Sequence, residues 1–296
     1  MIRKPGCMSN PFYTYVPGRT ANMPDALRLL REAGFDTVDL NMCMMQRNAS
    51  ELCEDGIWEK AADEIGNTAA KLGITFVQSH PPYPRPSMRR KTVFDEGCEY
   101  NEFFLRMMKR SLEIDSRLGI PWAVMHPVSC RDIPDSSPEE DVAFNLEYYA
   151  PLLDLCEARG VGFAFENMAD VDGRRRFGSA PEELIAITDA FAGRKVGICW
   201  DTGHGNRMYA DQIPFMKKVA PRLVCLHIDD NIGDKDLHQI PYMGTVNWEA
   251  VMKLLGDCGY PGAFIYELAL YRRLPEALKM PLAKYSYTVA EYLLNL

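Results

Sequence analysis

Three of the five histidines of the chain end apolar runs: His80, His126 and His227. His204 follows another apolar run by three residues, and His238 comes later, in DLHQ. In GICWDTGHGN, residues 197–206, the apolar run ends at Asp201, and His204 follows between two glycines. An imidazole can transfer a proton near neutral pH, hydrogen-bond a ligand or bind a metal. A single histidine at such a position is more often structural, so these residues are candidates only as a group.

Three carboxylates end apolar runs in the same way. Glu166 closes GFAFE, Asp201 closes VGICWD, and Glu267 closes AFIYE. Each could be an ordinary loop-facing acid or part of a turn. The informative feature is that acids and histidines recur at the same end of successive runs.

Eight short β-type runs are spread along the chain, and amphipathic helical stretches separate them. The runs are Gly6–Ser9, Thr37–Asn41, Ile74–His80, Trp122–His126, Gly162–Glu166, Val196–Asp201, Leu223–His227 and Ala263–Glu267. Strands that alternate with helices eight times in 296 residues predict an α/β fold, the (β/α)8 TIM barrel. A doubly wound open sheet is the competing architecture. No linker or composition break divides the chain, so residues 1–296 are predicted to form a single domain.

Helix starts support this element order. Apolar residues recur with helical spacing over Pro24–Ala33. SSPEE at 136–140 and SAPEE at 179–183 each predict an N-cap serine followed by proline at the first helical position. Asn247 is predicted to cap another helix, and a last helix is predicted over about Pro275–Leu294.

In a (β/α)8 barrel the active site lies at the carboxyl ends of the strands. The strand-end acids and histidines would therefore gather at one rim, where they would repel one another or stay unsatisfied without a cation. A mixed set of imidazoles and carboxylates suits Zn²⁺, Mn²⁺, Fe²⁺ or Co²⁺. The sequence thus predicts a divalent metal site at the barrel mouth.

Several short motifs together resemble the xylose isomerase-like barrel superfamily, which contains sugar and sugar-phosphate isomerases and epimerases and the apurinic endonucleases. The motifs are FEN (165–167), WDTGH (200–204), LHIDDN (226–231), DLHQIPYMGTVNW (236–248) and YEL (266–268). The resemblance covers the third to eighth strands, about two-thirds of the chain. The first two strands carry no matching motif.

The resemblance to the epimerases implies a role for each strand-end residue. Glu166, Asp201, His227 and Glu267 would bind the metal, and the two glutamates would also transfer protons on opposite faces of the substrate. The implied reaction passes through an enediolate that the metal stabilises. The remaining candidates are predicted to contact the substrate, with His204 hydrogen-bonding a substrate oxygen; they are His204, His126, His80, His238 and Asp236.

The resemblance also implies an alternative, a phosphodiesterase of the apurinic endonuclease type. Those enzymes hold three zinc ions, and His80, His126, His204, Asp236 and His238 match their additional ligands. Two basic segments, RPSMRRK (85–91) and GRRRFG (173–178), follow strands on the active-site side. They are either solvated loops or a phosphate clamp, which would fit a sugar phosphate as readily as DNA. A non-catalytic metal- or sugar-binding module is the third possibility.

The amino-acid composition limits the classes of partner that the protein is expected to bind. The net charge of −8 argues against binding nucleic acid, which depends on Lys and Arg contacts to phosphates. Nine isolated cysteines fit a reducing compartment, and no run resembles a signal peptide or a membrane span. We therefore expect a cytoplasmic protein that binds a small sugar or sugar phosphate, with no membrane or nucleic-acid partner and with homo-oligomers possible.

Overall fold

The computed structural model describes residues 4–12, 22–43, 45, 50–83, 99–128, 137–170, 173, 175–269 and 274–296. Eight parallel strands form one sheet. They are β1 (Pro5–Met8), β2 (Thr37–Asn41), β3 (Thr75–His80), β4 (Trp122–Met125), β5 (Gly162–Glu166), β6 (Val196–Asp201), β7 (Leu223–His227) and β8 (Phe264–Tyr266). Their order in the sheet is β7-β6-β5-β4-β3-β2-β1-β8.

The sheet closes between its two ends, β7 and β8. Ile228 and Tyr266 form a parallel bridge. The Ile228 amide donates to the Ile265 carbonyl at 2.8 Å, and the Glu267 amide donates to the Ile228 carbonyl at 3.1 Å. The fold is therefore a single-domain (β/α)8 barrel, as predicted, and the open doubly wound sheet is excluded.

Helices follow the strands and pack around the barrel. The described residues include α1 (Met23–Ala33), α2 (Trp58–Leu72), α3 (Glu99–Leu118), α4 (Pro138–Cys156), α5 (Pro181–Ala190), α6 (Thr202–Met208), α7 (Ile213–Val219), α8 (Trp248–Asp257) and α9 (Glu276–Leu294). Three-residue 3₁₀ turns lie at Glu51–Cys53, Glu157–Arg159 and Ala220–Arg222. None of the described helices is long and apolar enough to cross a membrane.

The alternation of side chains along a strand aims the candidate residues at the barrel mouth. On β5, Phe163 and Phe165 pack outward, each edge-to-face with Tyr149 of α4. Ala164 lies in a small cluster inside the barrel, on the opposite face. Glu166 shares the inward direction of Ala164 one step further along, so its carboxylate faces the mouth.

Strand bounds agree with the sequence predictions to within one residue at each end, and two of the three predicted helix caps are confirmed. Ser137 forms a capping box with Glu140 at the start of α4. Asn247 accepts a hydrogen bond from the Ala250 amide at 3.1 Å. The predicted serine cap of SAPEE is wrong: the N-cap is Ala180, and the Glu183 carboxylate accepts from the Gly178 and Ala180 amides instead.

Candidate functional site

The four predicted metal ligands meet at the carboxyl ends of β5 to β8. One ligand atom from each of Glu166, Asp201, His227 and Glu267 lies within 4.8 Å of the others. His227 Nδ1 is 2.7 Å from Glu166 Oε1 and 3.0 Å from Glu267 Oε2. The side chain of Glu267 is 15% exposed, whereas the other three are essentially fully buried. The group can therefore surround a cation and leave an approach from the Glu267 side.

Two further groupings adjoin this one. His126 Nε2 is 2.8 Å from Glu166 Oε2, and His80 Nε2 is 3.7 Å from the same oxygen. The two imidazole Nε2 atoms are 3.2 Å apart. Because His80 Nδ1 faces the Pro81 carbonyl at 3.0 Å and a carbonyl only accepts, the neutral ring carries its proton on Nδ1. The lone pair on His80 Nε2 then points toward Glu166, as a ligand atom would.

The second adjoining grouping involves the remaining candidates. Asp236 Oδ2 is 3.4 Å from His204 Nε2 and 3.2 Å from His238 Nε2. His204 Nδ1 donates to the Asn167 carbonyl at 2.9 Å, so Nε2 is the ring nitrogen that faces Asp236 and the barrel mouth. His238 has a positive φ of 46°, a strained conformation for a residue with a side chain. The fold thus brings all nine predicted site residues to one end of the barrel.

The surroundings shift the pKa values of the site residues in different directions. Burial disfavours the charged form of Glu166, but His227 and His126 outweigh it and hold the pKa of its carboxyl well below the usual range. Burial lowers the pKa of His126 to about 4, so its imidazole is neutral at physiological pH. Burial and the neighbouring Asp229 raise the pKa of Asp201 well above its ordinary value. A second acid beside Asp201 therefore favours a bound cation or proton at this point.

Among the described residues, some buried carboxylate oxygens beside the candidate ligands lack a hydrogen bond. Asp201 Oδ2 and Asp229 Oδ1 are two of them. A buried oxygen without a partner loses its hydration and gains nothing in return. Asp201 belongs to the four-residue group and also to a grouping with Asp229 and His238, and in each grouping the ligand atoms lie within 4.8 Å of one another. The residues present therefore fit a divalent metal.

The FEN and WDTGH segments lock the start of α6 into place. Asp201 is the N-cap of α6, and its Oδ1 accepts from the His204 amide at 2.5 Å. The Asn167 side chain forms two hydrogen bonds with the backbone of Asp201. Its Oδ1 accepts from the Asp201 amide at 2.5 Å, and its Nδ2 donates to the Asp201 carbonyl at 2.9 Å. The Thr202 hydroxyl donates to the Asp229 carbonyl at 2.7 Å. These contacts fix Asp201 and His204 relative to β5 and β7.

Gly203 is required by this close packing. A Cβ atom there would lie 1.9 Å from Asp229 Oδ1. We expect Gly203→Ala to lower the free energy of unfolding by about 1–3 kcal/mol, because overpacking forces buried groups apart. Urea denaturation measures the change. Gly256→Ala in α8 is the matched control, since no atom lies within 4 Å of its added Cβ; an equal loss in both variants would contradict this explanation.

Two buried acids in the site were not singled out from the sequence. Asp229 adjoins Asp201, and Asp39 on β2 lies 3.2 Å from His227 Nε2. Asp39 interrupts the apolar run TVDLN, which is the one signal that could have marked it. Asp229 has an identical neighbour, Asp230, which instead accepts hydrogen bonds from the Val246 amide and the Trp248 indole. The sequence does not distinguish these two aspartates.

The basic segments are only partly described. Residues 85–91 lie outside the described residues, as does Arg174. Arg175 pairs with Glu183 at 2.5 Å, and the Arg176 amide donates to Asp170 at 3.0 Å. Arg175 is therefore engaged within the chain.

A family model described as "Xylose isomerase-like TIM barrel" matches residues 27–283. An uncharacterized protein, y4fM, of Sinorhizobium fredii (strain NBRC 101917 / NGR234) is 24% identical over 257 residues, which are 83% of this chain and 81% of that protein. The chain is thus related in sequence to y4fM over most of both lengths.

Two solved structures show the same fold. A D-psicose 3-epimerase, solved in the presence of D-fructose, superposes with a TM-score of 0.74 at 15% identity, covering 99% of this chain and 100% of that one. The IOLI protein, solved with a zinc atom, superposes with a TM-score of 0.67 at 18% identity, covering 98% and 96%. At these identities the likeness establishes the fold.

Proposed function

The chain belongs to the xylose isomerase-like TIM barrel family, and from that premise we propose that it is a divalent-metal-dependent isomerase or epimerase of a ketose or ketose phosphate. The observation that carries the proposal is the four-residue group Glu166, Asp201, His227 and Glu267 at the barrel mouth. The D-psicose 3-epimerase of the same fold supports a sugar as the substrate.

The proposed metal site uses one imidazole nitrogen and three carboxylates. Such a donor set suits Mn²⁺, Co²⁺, Fe²⁺ or Zn²⁺. The zinc atom in the IOLI structure supports a divalent metal in this fold. Once bound, the metal would act as a Lewis acid that stabilises the negative charge developing on the substrate oxygens.

Isomerisation or epimerisation of a ketose requires removal of a proton from a carbon next to the carbonyl. We assign this transfer to Glu166 and Glu267. They come from β5 and β8, with β6 and β7 between them, so their carboxylates reach the substrate from different sides of the mouth. One carboxylate removes the proton and the other returns it, which permits inversion at carbon.

The other candidates would bind and orient the sugar. His204 is proposed to hydrogen-bond a substrate oxygen through Nε2, since its Nδ1 is already engaged with the Asn167 carbonyl. His80, His126 and His238 present ring nitrogens toward the same mouth, and Asp236 lies between His204 and His238.

Product analysis tests the proposed function. Protein loaded in turn with Mn²⁺, Co²⁺ and Zn²⁺ is incubated with a panel of ketoses and ketose phosphates, and NMR detects new epimers or aldoses. We expect one class of sugar to be converted and chelation to stop the reaction. If no sugar is converted in any metal form, the proposal is wrong.

A second candidate function is a metal-dependent phosphodiesterase. The observation in its favour is that the two adjoining groupings, around His80 with His126 and around His204 with His238, offer donors for more than one ion. Ions held side by side would suit phosphate ester hydrolysis. The net charge of −8 weighs against DNA as the substrate.

We therefore expect no cleavage of an abasic DNA duplex and no tight duplex binding at physiological salt. The basic segments would neutralise only a few phosphates, and a protein with few phosphate contacts binds duplex DNA weakly at physiological salt. A gel assay with a labelled abasic duplex and zinc-loaded protein measures both, and an intact duplex serves as the control. Robust zinc-dependent nicking of the abasic strand would establish the second function instead.

A further inference from the structure

We infer that Asp39 is a positioning residue that holds His227 with its Nδ1 atom toward the proposed metal. The inference rests on the proposed function, since it concerns the same site. Asp39 lies on β2, a strand on which the sequence shows no site motif. The hydrogen-bond geometry around the His227 ring indicates this role.

The two nitrogens of His227 face different partners. Nδ1 points to Glu166 and Glu267, at 2.7 and 3.0 Å, which are the other candidate ligands. Nε2 is 3.2 Å from Asp39 Oδ2. A neutral imidazole binds a metal through the nitrogen without a proton, so binding at Nδ1 requires the proton on Nε2. Asp39 is the acceptor that this proton needs.

The burial of His227 makes its ring orientation depend on Asp39. His227 and Asp39 both have fully buried side chains. Water therefore does not reach Nε2 to replace a lost acceptor, and the ring would be free to take the other tautomer or to rotate. A carboxylate that accepts a hydrogen bond from Nε2 also makes Nδ1 a stronger electron-pair donor to a metal.

Asp39 is itself held in place by Gln78 on β3. Gln78 Nε2 donates to Asp39 Oδ2 at 2.8 Å and to the carbonyl of Leu226, the residue before His227, at 3.3 Å. Asp39 and Gln78 are paired in the β2–β3 ladder directly after a register shift between Val38 and Asp39. Such irregularities re-aim side chains near active sites. The hydrogen bonds of Asp39 and Gln78 thus connect β2 and β3 to the end of β7 across the barrel.

The first test is zinc affinity, measured by competition with a chromogenic chelator. We expect Asp39→Ala to bind Zn²⁺ about 10–100-fold more weakly than wild type, as is typical when an outer partner of a ligand is lost. Asp39→Asn keeps an oxygen that can accept from both Nε2 and Gln78, so its loss should be smaller. Asp115→Asn is the control: Asp115 is also fully buried but accepts from Ser79, and its affinity should match wild type.

The second test reads the proton directly and distinguishes positioning from general stability. In zinc-loaded protein labelled with ¹⁵N-histidine, NMR should show an exchange-protected Nε2–H on His227 in wild type and Asp39→Asn. Asp39→Ala should lose it. A folded Asp39→Ala that binds zinc like wild type, or a wild-type His227 protonated on Nδ1, would overturn the inference alone. If wild type binds no zinc, the proposed function fails first and this inference fails with it.

Discussion

Replacing Glu267 with glutamine is expected to lower the rate of sugar conversion by about 10²–10⁴-fold, the usual loss when a general base is removed. Burial disfavours the charged form of Glu267, but the neighbouring His227 and His238 outweigh it and lower its pKa to about 2. The group is therefore a carboxylate at neutral pH, which is the form that a general base needs. Glutamine keeps the size and one oxygen but cannot take up the proton.

The variant must retain metal for this result to be informative. We expect Glu267→Gln to keep part of its metal affinity, because Glu166, Asp201 and His227 are unchanged. Steady-state rates at saturating metal, with metal content measured in the same samples, separate the two effects. Glu64→Gln, on the exposed face of α2, is the control and should be as active as wild type. A metal-loaded Glu267→Gln that converts sugar at the wild-type rate would remove Glu267 from proton transfer.

The second large effect is expected for His227→Ala, which should abolish stable metal binding. His227 supplies the one nitrogen of the four-residue group, and its Nδ1 contacts both Glu166 Oε1 and Glu267 Oε2. Its removal leaves neighbouring acids without their cationic or hydrogen-bonding partner. Elemental analysis of protein purified without chelator should find about one metal per chain in wild type and little in the variant.

Thermal unfolding gives an independent measure of the same loss. A ligand present at 100 times its Kd stabilises the folded state by about 2.7 kcal/mol. Added Mn²⁺ or Zn²⁺ should therefore raise the Tm of wild type and of Asp115→Asn but leave His227→Ala unchanged. If His227→Ala holds metal and responds to it like wild type, the four-residue group is not the metal site.

The strands and their ends could be predicted because both follow from local patterns. A β-type apolar run that stops at a polar residue marks a strand end, and the parallel barrel then gathers those ends at one rim. This is why the sequence alone predicts that Glu166 on β5 and His227 on β7, 61 positions apart, lie close together.

Contacts that depend on exact packing could not be predicted. Asp39 pairs with Gln78 because β3 carries one extra residue, Val77, opposite the step from Val38 to Asp39, and no sequence pattern marks that shift. Asp229 and Asp230 are identical neighbours, yet only the first adjoins Asp201. Ser179 is predicted as an N-cap, but the N-cap is the next residue, Ala180. The Glu183 side chain, in the first turn of the helix, accepts a hydrogen bond from the Ala180 amide.

The most direct test of proton transfer at this site is uptake of deuterium from D₂O. Metal-loaded wild-type protein is incubated with each ketose and ketose phosphate, and NMR or mass spectrometry follows the carbon next to the carbonyl. We predict that at least one sugar gains deuterium at that carbon, that chelation stops the uptake, and that Glu267→Gln loses it while holding metal. A wild-type protein that holds metal but exchanges no proton on any sugar, or that converts a sugar without taking up deuterium, would contradict the proposed mechanism.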